Sequence, residues 1–360
     1  MEGKTVIWVM THKPCEKPKD PVYVPLHVGR ACHNADDKAL QYIGDDTGDN
    51  ISDKNIYYGE LTGQYWAANN YFDADYMGLV HYRRFLLNEQ GSIMSGEEYK
   101  SLFDKYEILI PRAIKHPETY YETYAEAHNI RDLDIVGNVI KNNYPDYYES
   151  FSKVINGYEV HSSNIFVSSA ELFREYTKWL FSIFDIAKED IDVSGYDEYH
   201  KRVYGFLSEQ LNYVWIKKNR LNYFELPMGL SQEKAETISF KKRLRAEILK
   251  ADENCGERAL GIFRDEMKRR PDIMLPASDL SGDLEDMFRV IYILSMEQRK
   301  EPDKSMLRIS RDINELIKHY RVIRMIEENM KNNVASEEEI AYYQDAGVSE
   351  AMRDQIRHML

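Results

Sequence analysis

The sequence predicts an α/β domain, a mixed sheet flanked by helices, followed by an all-helical C-terminal module. Short apolar runs of strand length alternate with helix-period segments through the first 240 residues, and beyond them only helix-period segments remain. Composition shifts at the same place: 23 of the 27 Tyr and all four Trp lie before residue 241. That part carries 25 basic and 37 acidic residues, net −12, and the last 120 residues carry 22 and 24, net −2. The expected domains are 1–240, a functional domain, and 241–360, a helical accessory module for packing, oligomerisation or docking on a membrane or partner.

The elements follow in order. Thr5–Met10 (TVIWVM) reads as a buried strand ending at Thr11-His12-Lys13-Pro14. Glu60–Tyr71 reads as a helix with Leu61, Tyr65 and Ala68 on one face. Tyr76–Val80, Glu107–Pro111 and Asn164–Val167 read as further buried strands. Ala170–Ala187 carries Leu172, Phe173, Tyr176, Leu180 and Phe184 at helical spacing, and Tyr196–Lys218 reads as another long helix. Phe240–Lys250, Gly256–Arg269, Leu284–Arg299, Ile309–Asn329 and Ser336–Ala346 are the expected C-terminal helices. In open α/β sheets ligands sit at the carboxyl ends of strands. That rule points to residues 11–13, 81–84 and 111–116.

Charge and cysteine usage exclude several classes. With 47 Lys+Arg against 61 Asp+Glu the net charge is −14, so no general nucleic-acid partner is expected. An anionic ligand would need local positive charge. Cys15, Cys32 and Cys255 are far apart and show no C-x-x-C spacing, which argues against a disulfide framework or a zinc ribbon and for a reducing cytoplasm. No run approaches the roughly 18 apolar residues of a membrane span, and the N-terminus lacks a signal-peptide layout. The expected location is cytoplasmic, at most peripheral on the membrane. G-x-G-x-x-G, Walker A, H-E-x-x-H and G-x-S-x-G are absent.

Five polar groups stand out. The run Asp45 to Asn55 (DDTGDNISDKN) fails the calcium-loop pattern, since Asn50 and Ile56 stand where Gly and Glu are needed. It is either a loop that orients a hydroxyl-rich ligand or a solvated Asx-turn loop. Asp73-Ala74-Asp75 matches D-x-D but precedes its strand, at the wrong end for a cleft, so it reads as a connection rather than a metal site. His81-Tyr82-Arg83-Arg84 follows the same strand, where two guanidiniums and an imidazole could neutralise a diphosphate; the alternative is surface arginines paired with acids. His161 and Asn164 precede a strand and suit either a ligand or a satisfied loop. Glu209 is either a general base projecting into the cleft or an ordinary exposed helix Glu.

In order, these segments resemble a known family. They include Thr11-His12-Lys13, Tyr23-Val24-Pro25 with Val28-Gly29, Asp45 to Asn55, Glu60-Leu61-Thr62 with Tyr65-Trp66, and Asp75-Tyr76 with Gly78-Leu79. His81 to Arg84, His161 with Asn164 and Phe166, and Gly205-Phe206 with Ser208-Glu209 and Leu211 complete the pattern. It is similar to the bacterial capsular-polysaccharide and O-antigen glycosyltransferases long catalogued as a domain of unknown function, whose better-understood relatives are galactofuranosyltransferases of GT-A type. The resemblance spans about residues 5–228.

The resemblance implies a GT-A-like, Rossmann-type sheet. It also implies transfer of a hexose, galactofuranose or galactopyranose, from a UDP-sugar to a glycan or lipid-linked acceptor in capsule, O-antigen or exopolysaccharide synthesis. Donor contacts would come from Thr11, His12, Lys13, Asp45, Asp46, Asp49, Asn50, Lys54, His81, Arg83 and Arg84, and acceptor or sugar contacts from His161 and Asn164. H-Y-R-R stands where other GT-A enzymes carry their metal-binding D-x-D, so no metal ligands are expected, no cofactor is tightly bound, and a divalent metal is not obligatory. An inverting reaction needs one base, Glu209, with Asp197 as the alternative. The rivals are a non-catalytic glycan or nucleotide-sugar binding protein and, less well supported, a metal-dependent hydrolase built on the Asp-rich loop.

Overall fold

The computed structural model describes residues 3–32, 41–274 and 278–357. The chain forms two compact units, Met1–Ser231 and Gln232–Leu360. The boundary lies upstream of the compositional shift because a helix, Ala235–Leu249, runs across residue 240, and Phe240 is buried in the second unit's own core.

The first unit is built on a sheet centred on β1 (Thr5–Thr11), buried along its whole length. Val6, Trp8 and Met10 face one core, and Ile7 and Val9 face the other. A strand covered on both faces reads as an unbroken apolar run. Parallel to β1 run β2 (Tyr23–His27), then β3 (Ile43–Gly44), on one side, and β4 (Tyr76–His81) on the other. β5 (Arg84–Leu86) turns back antiparallel on the end of β4. β6 (Ile108–Pro111) follows, then a separate antiparallel pair, β7 (Ile114–Lys115) and β8 (Glu159–Val160). β9 (Phe166–Ser169) runs antiparallel between β4 and β6. β10 (Tyr223–Leu226) pairs parallel with β6, and β11 (Met228–Leu230) pairs antiparallel with β5. The order is β10-β6-β9-β4-β1-β2-β3, a mixed sheet.

Among the described residues eight helices flank it: α1 (Asn55–Tyr58), α2 (Leu61–Asn70), α3 (Gly96–Phe103), α4 (Tyr120–Ala127), α5 (Ile130–Asn143), α6 (Pro145–Ile155), α7 (Ala170–Ala187) and α8 (Val203–Asn219). α7 has the bounds its periodicity predicts, with Ser169 accepting from the Leu172 N–H at 3.2 Å as N-cap.

Two expected elements differ. The strand expected from Asn164 starts at Phe166, because Ser163 sits at φ +77 and breaks the extended run. The helix expected from Tyr196 starts at Val203. Asp197 accepts from the N–H groups of Tyr199 and His200 at 3.0 and 2.8 Å, a side-chain turn that competes with helix.

The second unit is helical: α9 (Ala235–Leu249), α10 (Cys255–Arg269), α11 (Asp283–Lys300), α12 (Ile313–Lys331), α13 (Glu337–Asp345) and α14 (Glu350–Arg357). Phe240, Leu260, Phe263, Leu294, Tyr320 and Ile356 belong to its core. The basic cluster at 241–243 does not present all its charge to solvent. Lys241 is buried and ion-paired to Asp279 at 2.5 Å and Glu233 at 2.7 Å. Arg269 and Arg270 both pair with Glu266. No helix among the described residues is long and apolar enough to cross a membrane.

Gly78 sits in β4 against β9, and a Cβ there would lie 2.7 Å from both the Phe166 carbonyl oxygen and Val167 Cγ2. Overpacking of this kind costs about 1–3 kcal/mol. Gly78→Ala is therefore expected to lower the urea midpoint of the first unit's transition at constant slope. An unchanged midpoint would show that the β4–β9 spacing is not constrained.

Candidate active site

The H-Y-R-R segment forms a tight hairpin: His81 ends β4, Arg84 opens β5 opposite it, and Tyr82 and Arg83 make the turn. The hairpin lies beside the end of β1, because Tyr82 N–H donates to the Met10 carbonyl at 3.1 Å. Tyr82 gathers cations from both strand ends. Lys13 Nζ lies 5.2 Å from its ring centroid, Arg83 Cζ lies 5.6 Å away, and the His12 ring meets it edge-on at 5.6 Å. The carboxyl ends of β1 and β4 thus carry concentrated positive charge in an acidic unit. Thr11 contributes differently: its hydroxyl is tied into a local turn with Lys13 N–H and carbonyl.

Behind the hairpin lies a buried carboxylate, Glu60. Gly59, at φ +55, turns the chain so that Glu60 stands at the N-terminus of α2. Asn164 Nδ2 donates to Glu60 Oε1 at 2.7 Å, Arg202 Nη2 lies 3.5 Å from Oε2, and His81 Nε2 lies 3.5 Å from Oε1. Burial pushes the Glu60 carboxyl up, but His81, Arg202 and the Asn164 amide outweigh it and hold the group below the usual range. Burial takes His81 down to about 4, with Glu60 opposing and Arg84, Arg202 and Arg83 adding to the fall. The imidazole is therefore neutral at pH 7, so the positive charge expected of it comes from Arg83, Arg84 and Lys13.

Asn164 is a positioning residue. Besides Glu60, its amide donates to the Gly205 carbonyl at 3.1 Å, and its oxygen accepts from Ser208 at 2.7 Å. These bonds join the β9 approach to the first turns of α8. Glu209, next to Ser208, is partly buried and accepts from the Ser163 N–H. Burial pushes it up to about 7, with Glu60 adding and Arg84, the Ser163 N–H and Arg202 opposing. A carboxylate near neutrality, beside the arginine hairpin, has the protonation behaviour of a general base.

Asp45 and Asp46 follow β3, whose register with β2 and β1 puts them at the same carboxyl edge of the sheet as Thr11 and His81. Asp45 is buried and accepts from Gly29 N–H (2.8 Å), Arg30 N–H (3.1 Å) and Ser52 Oγ (2.5 Å), so its carboxylate holds the loop together. Asp46 pairs with Arg30 at 3.7 Å, and Asp49 accepts from Tyr65 Oη at 3.1 Å. Asn50 closes an Asx turn through Ser52 N–H and the Gly48 carbonyl, and Lys54 is exposed. The run leads through α1 to Gly59 and Glu60. His161 is buried, with Nε2 2.9 Å from Glu225 Oε1 and its ring 4.0 Å from Tyr213, so its imidazole faces β10 and α8. The turn that fixes Asp197 also pairs it with His200, and these bonds hold its carboxyl below the usual range, which makes it a weak base. Asp73 pairs with Lys4, and Asp75 accepts the Lys4 N–H at 2.7 Å, both at the amino end of β4. Among the described residues no group of three or more His, Cys, Asp or Glu is arranged to hold a metal ion. Glu60 and Arg202 join the site, and sequence signals for them exist: Glu60 opens the E-L-T segment, and Arg202 lies just before G-F-x-S-E-x-L.

Residues 6–220 match the family described as a domain of unknown function (DUF4422), and the chain belongs to that family. It is similar to the apo structure of the bifunctional glycosyltransferase WbbM, with 30% identity and a TM-score of 0.56. That match covers 64% of this chain and 46% of the other, so this chain spans about half of that protein's length. No curated protein matches the chain. The first unit has a GT-A-like α/β fold.

Glu209 also carries a stability signature. An acid whose pKa rises from 4.5 to about 7 on folding binds its proton more tightly in the folded state. The penalty is absent below about pH 4.5, grows between 4.5 and 7, and is complete above 7. Glu209→Gln is expected to stabilise the protein by roughly 1–3 kcal/mol at pH 8 and to leave it unchanged at pH 4. Equal effects at both pH values in chemical denaturation would contradict the raised pKa.

Proposed function

We propose that this family member is an inverting glycosyltransferase that moves a hexose from a UDP-sugar to a glycan hydroxyl. The observation that carries the reading is Glu209, a base poised near neutrality and flanked by the cationic β4–β5 hairpin. In the proposed step the acceptor hydroxyl gives its proton to Glu209 as its oxygen bonds to the anomeric carbon. The bond from that carbon to the diphosphate oxygen breaks, and the electron pair leaves on the diphosphate. Arg83, Arg84 and Lys13 meet that charge, which removes the need for an obligatory divalent metal. Membership of the family and likeness to a glycosyltransferase support the reaction class.

The proposed sugar is galactose, in its furanose or pyranose form, and the product a capsule, O-antigen or exopolysaccharide chain; the motif resemblance supports both. We place the reaction in the cytoplasm, where such donors are made. We assign residues 232–360 to packing or oligomerisation rather than to an anionic membrane, since Lys241, Arg269 and Arg270 are already paired within that unit.

Two measurements test this reading. Calorimetric titration with a panel of UDP-hexoses should show binding that EDTA leaves intact. A manganese requirement of a hundredfold or more, about 2.7 kcal/mol, would overturn the metal-free mechanism, and no nucleotide-sugar binding or transfer at all would overturn the transferase. Arg84→Ala should weaken UDP-hexose binding about tenfold or more while changing uridine binding little, because charge-assisted bonds go to phosphate. Equal losses for both ligands would place Arg84 on the nucleoside or in the fold.

A further inference from the structure

A cleft of about 350 Å³ lies between the α4–α5 junction and the turn before α8, and the diphosphate chemistry leaves it unused. We propose that this cleft binds a neutral, hydroxyl-rich glycan unit, the terminal sugar of the acceptor. Calling that sugar the acceptor rests on the transferase reading; the glycan site itself stands on the cleft's own chemistry.

The first argument is charge. Glu126, Asp132 and Asp197 line the cleft, and no Lys or Arg is among its described lining residues. Burial, with His200 adding, holds His128 down at about 4, so it contributes a neutral ring. Carboxylates accept from sugar hydroxyls and repel phosphate. The hairpin has the opposite character, so the two surfaces sort a nucleotide diphosphate from an uncharged glycan.

The second argument is shape and pairing. Phe206 and His128 stack at 4.2 Å, and Tyr199 lies 5.0 Å from Phe206 at the edge, half exposed. Since Phe206 and His128 cover each other, it is the half-exposed Tyr199 ring beside the lining residues that suits the apolar C–H side of a sugar ring. Asn129 Nδ2 donates to Tyr196 Oη at 2.6 Å, and Tyr196 Oη donates to Asp132 Oδ2 at 2.7 Å, a fixed polar chain along the wall. Two lining residues carry buried polar atoms without a protein partner, Tyr124 Oη and His128 Nδ1. Unpaired buried polar atoms are costly, and ligand hydroxyls are suitable partners for both.

The third argument is position. Phe206 lines the cleft and Glu209 stands three residues further along α8, on the neighbouring turn of the same helix face.

The test uses the full chain with methyl galactopyranoside, methyl galactofuranoside and methyl glucopyranoside as probes, read by saturation-transfer NMR. At least one glycoside should bind, and saturating UDP should not displace it. Tyr199→Ala, at an exposed position, and the isosteric Asp132→Asn should each weaken that binding at least fivefold, with UDP affinity held within twofold. Failure of every glycoside to bind, displacement by UDP, or wild-type glycoside affinity in both variants would overturn the site. Glycoside binding by a chain that binds no nucleotide sugar would keep the site and overturn the transferase reading instead.

Discussion

The arrangement depends on one buried carboxylate. Glu60 touches groups from three parts of the first unit: His81 at the end of β4, Asn164 before β9, and Arg202 at the start of α8. A carboxylate in that position is stable only because each oxygen has partners and the N-terminus of α2 favours negative charge. Without it, the Asn164 amide and the Arg202 guanidinium would each lose an acceptor, and the Asn164 bonds to Gly205 and Ser208 on α8 would lose their anchor on the α2 side. Since α8 carries Glu209, the position of the base is set at second hand by Glu60. The strained backbone at Ser163 belongs to the same frame, because its N–H is the one that reaches Glu209.

The chemistry follows from a division of charge across the first unit. Strand ends collect Lys13, Arg83 and Arg84 around Tyr82, while the α4–α5 junction and the turn before α8 collect carboxylates and aromatic rings. Glu209 feels the cationic side through Arg84, which opposes the effect of burial on its carboxyl. A net charge of −14 gives no hint of this division, because the cations that matter are few and local.

Much of the fold is legible in the sequence for physical reasons. β1 and β4 read clearly since both faces are buried, and α7 reads clearly since its apolar stripe keeps the 3.6 period from end to end. The helices between residues 96 and 155 are less legible, although two carry local marks, the capping boxes Ser95–Glu98 and Thr119–Glu122. The site was partly legible. Strand-end logic finds the arginine hairpin, and motif order finds Glu209. In the Asp45–Asn55 run the sequence does not show which groups are already bonded: Asp45 is held by Ser52 and Asp49 by Tyr65, and the run leads to Glu60, whose partners His81, Asn164 and Arg202 lie 21, 104 and 142 residues away. For Asn164 the sequence leaves ligand and satisfied loop open, since nothing local shows that its amide bonds to Glu60 and Gly205 and its oxygen to Ser208.

The most direct measurement of the central claim is the pH profile of transfer by wild type and Glu209→Gln under single-turnover conditions with EDTA present. The account predicts that wild-type kcat/KM falls tenfold per unit below about pH 7. It also predicts that the variant loses about 10²–10⁴-fold in rate while still binding donor and acceptor. A variant that transfers sugar at the wild-type rate, or a wild-type profile that is flat through pH 7, would contradict Glu209 as the base.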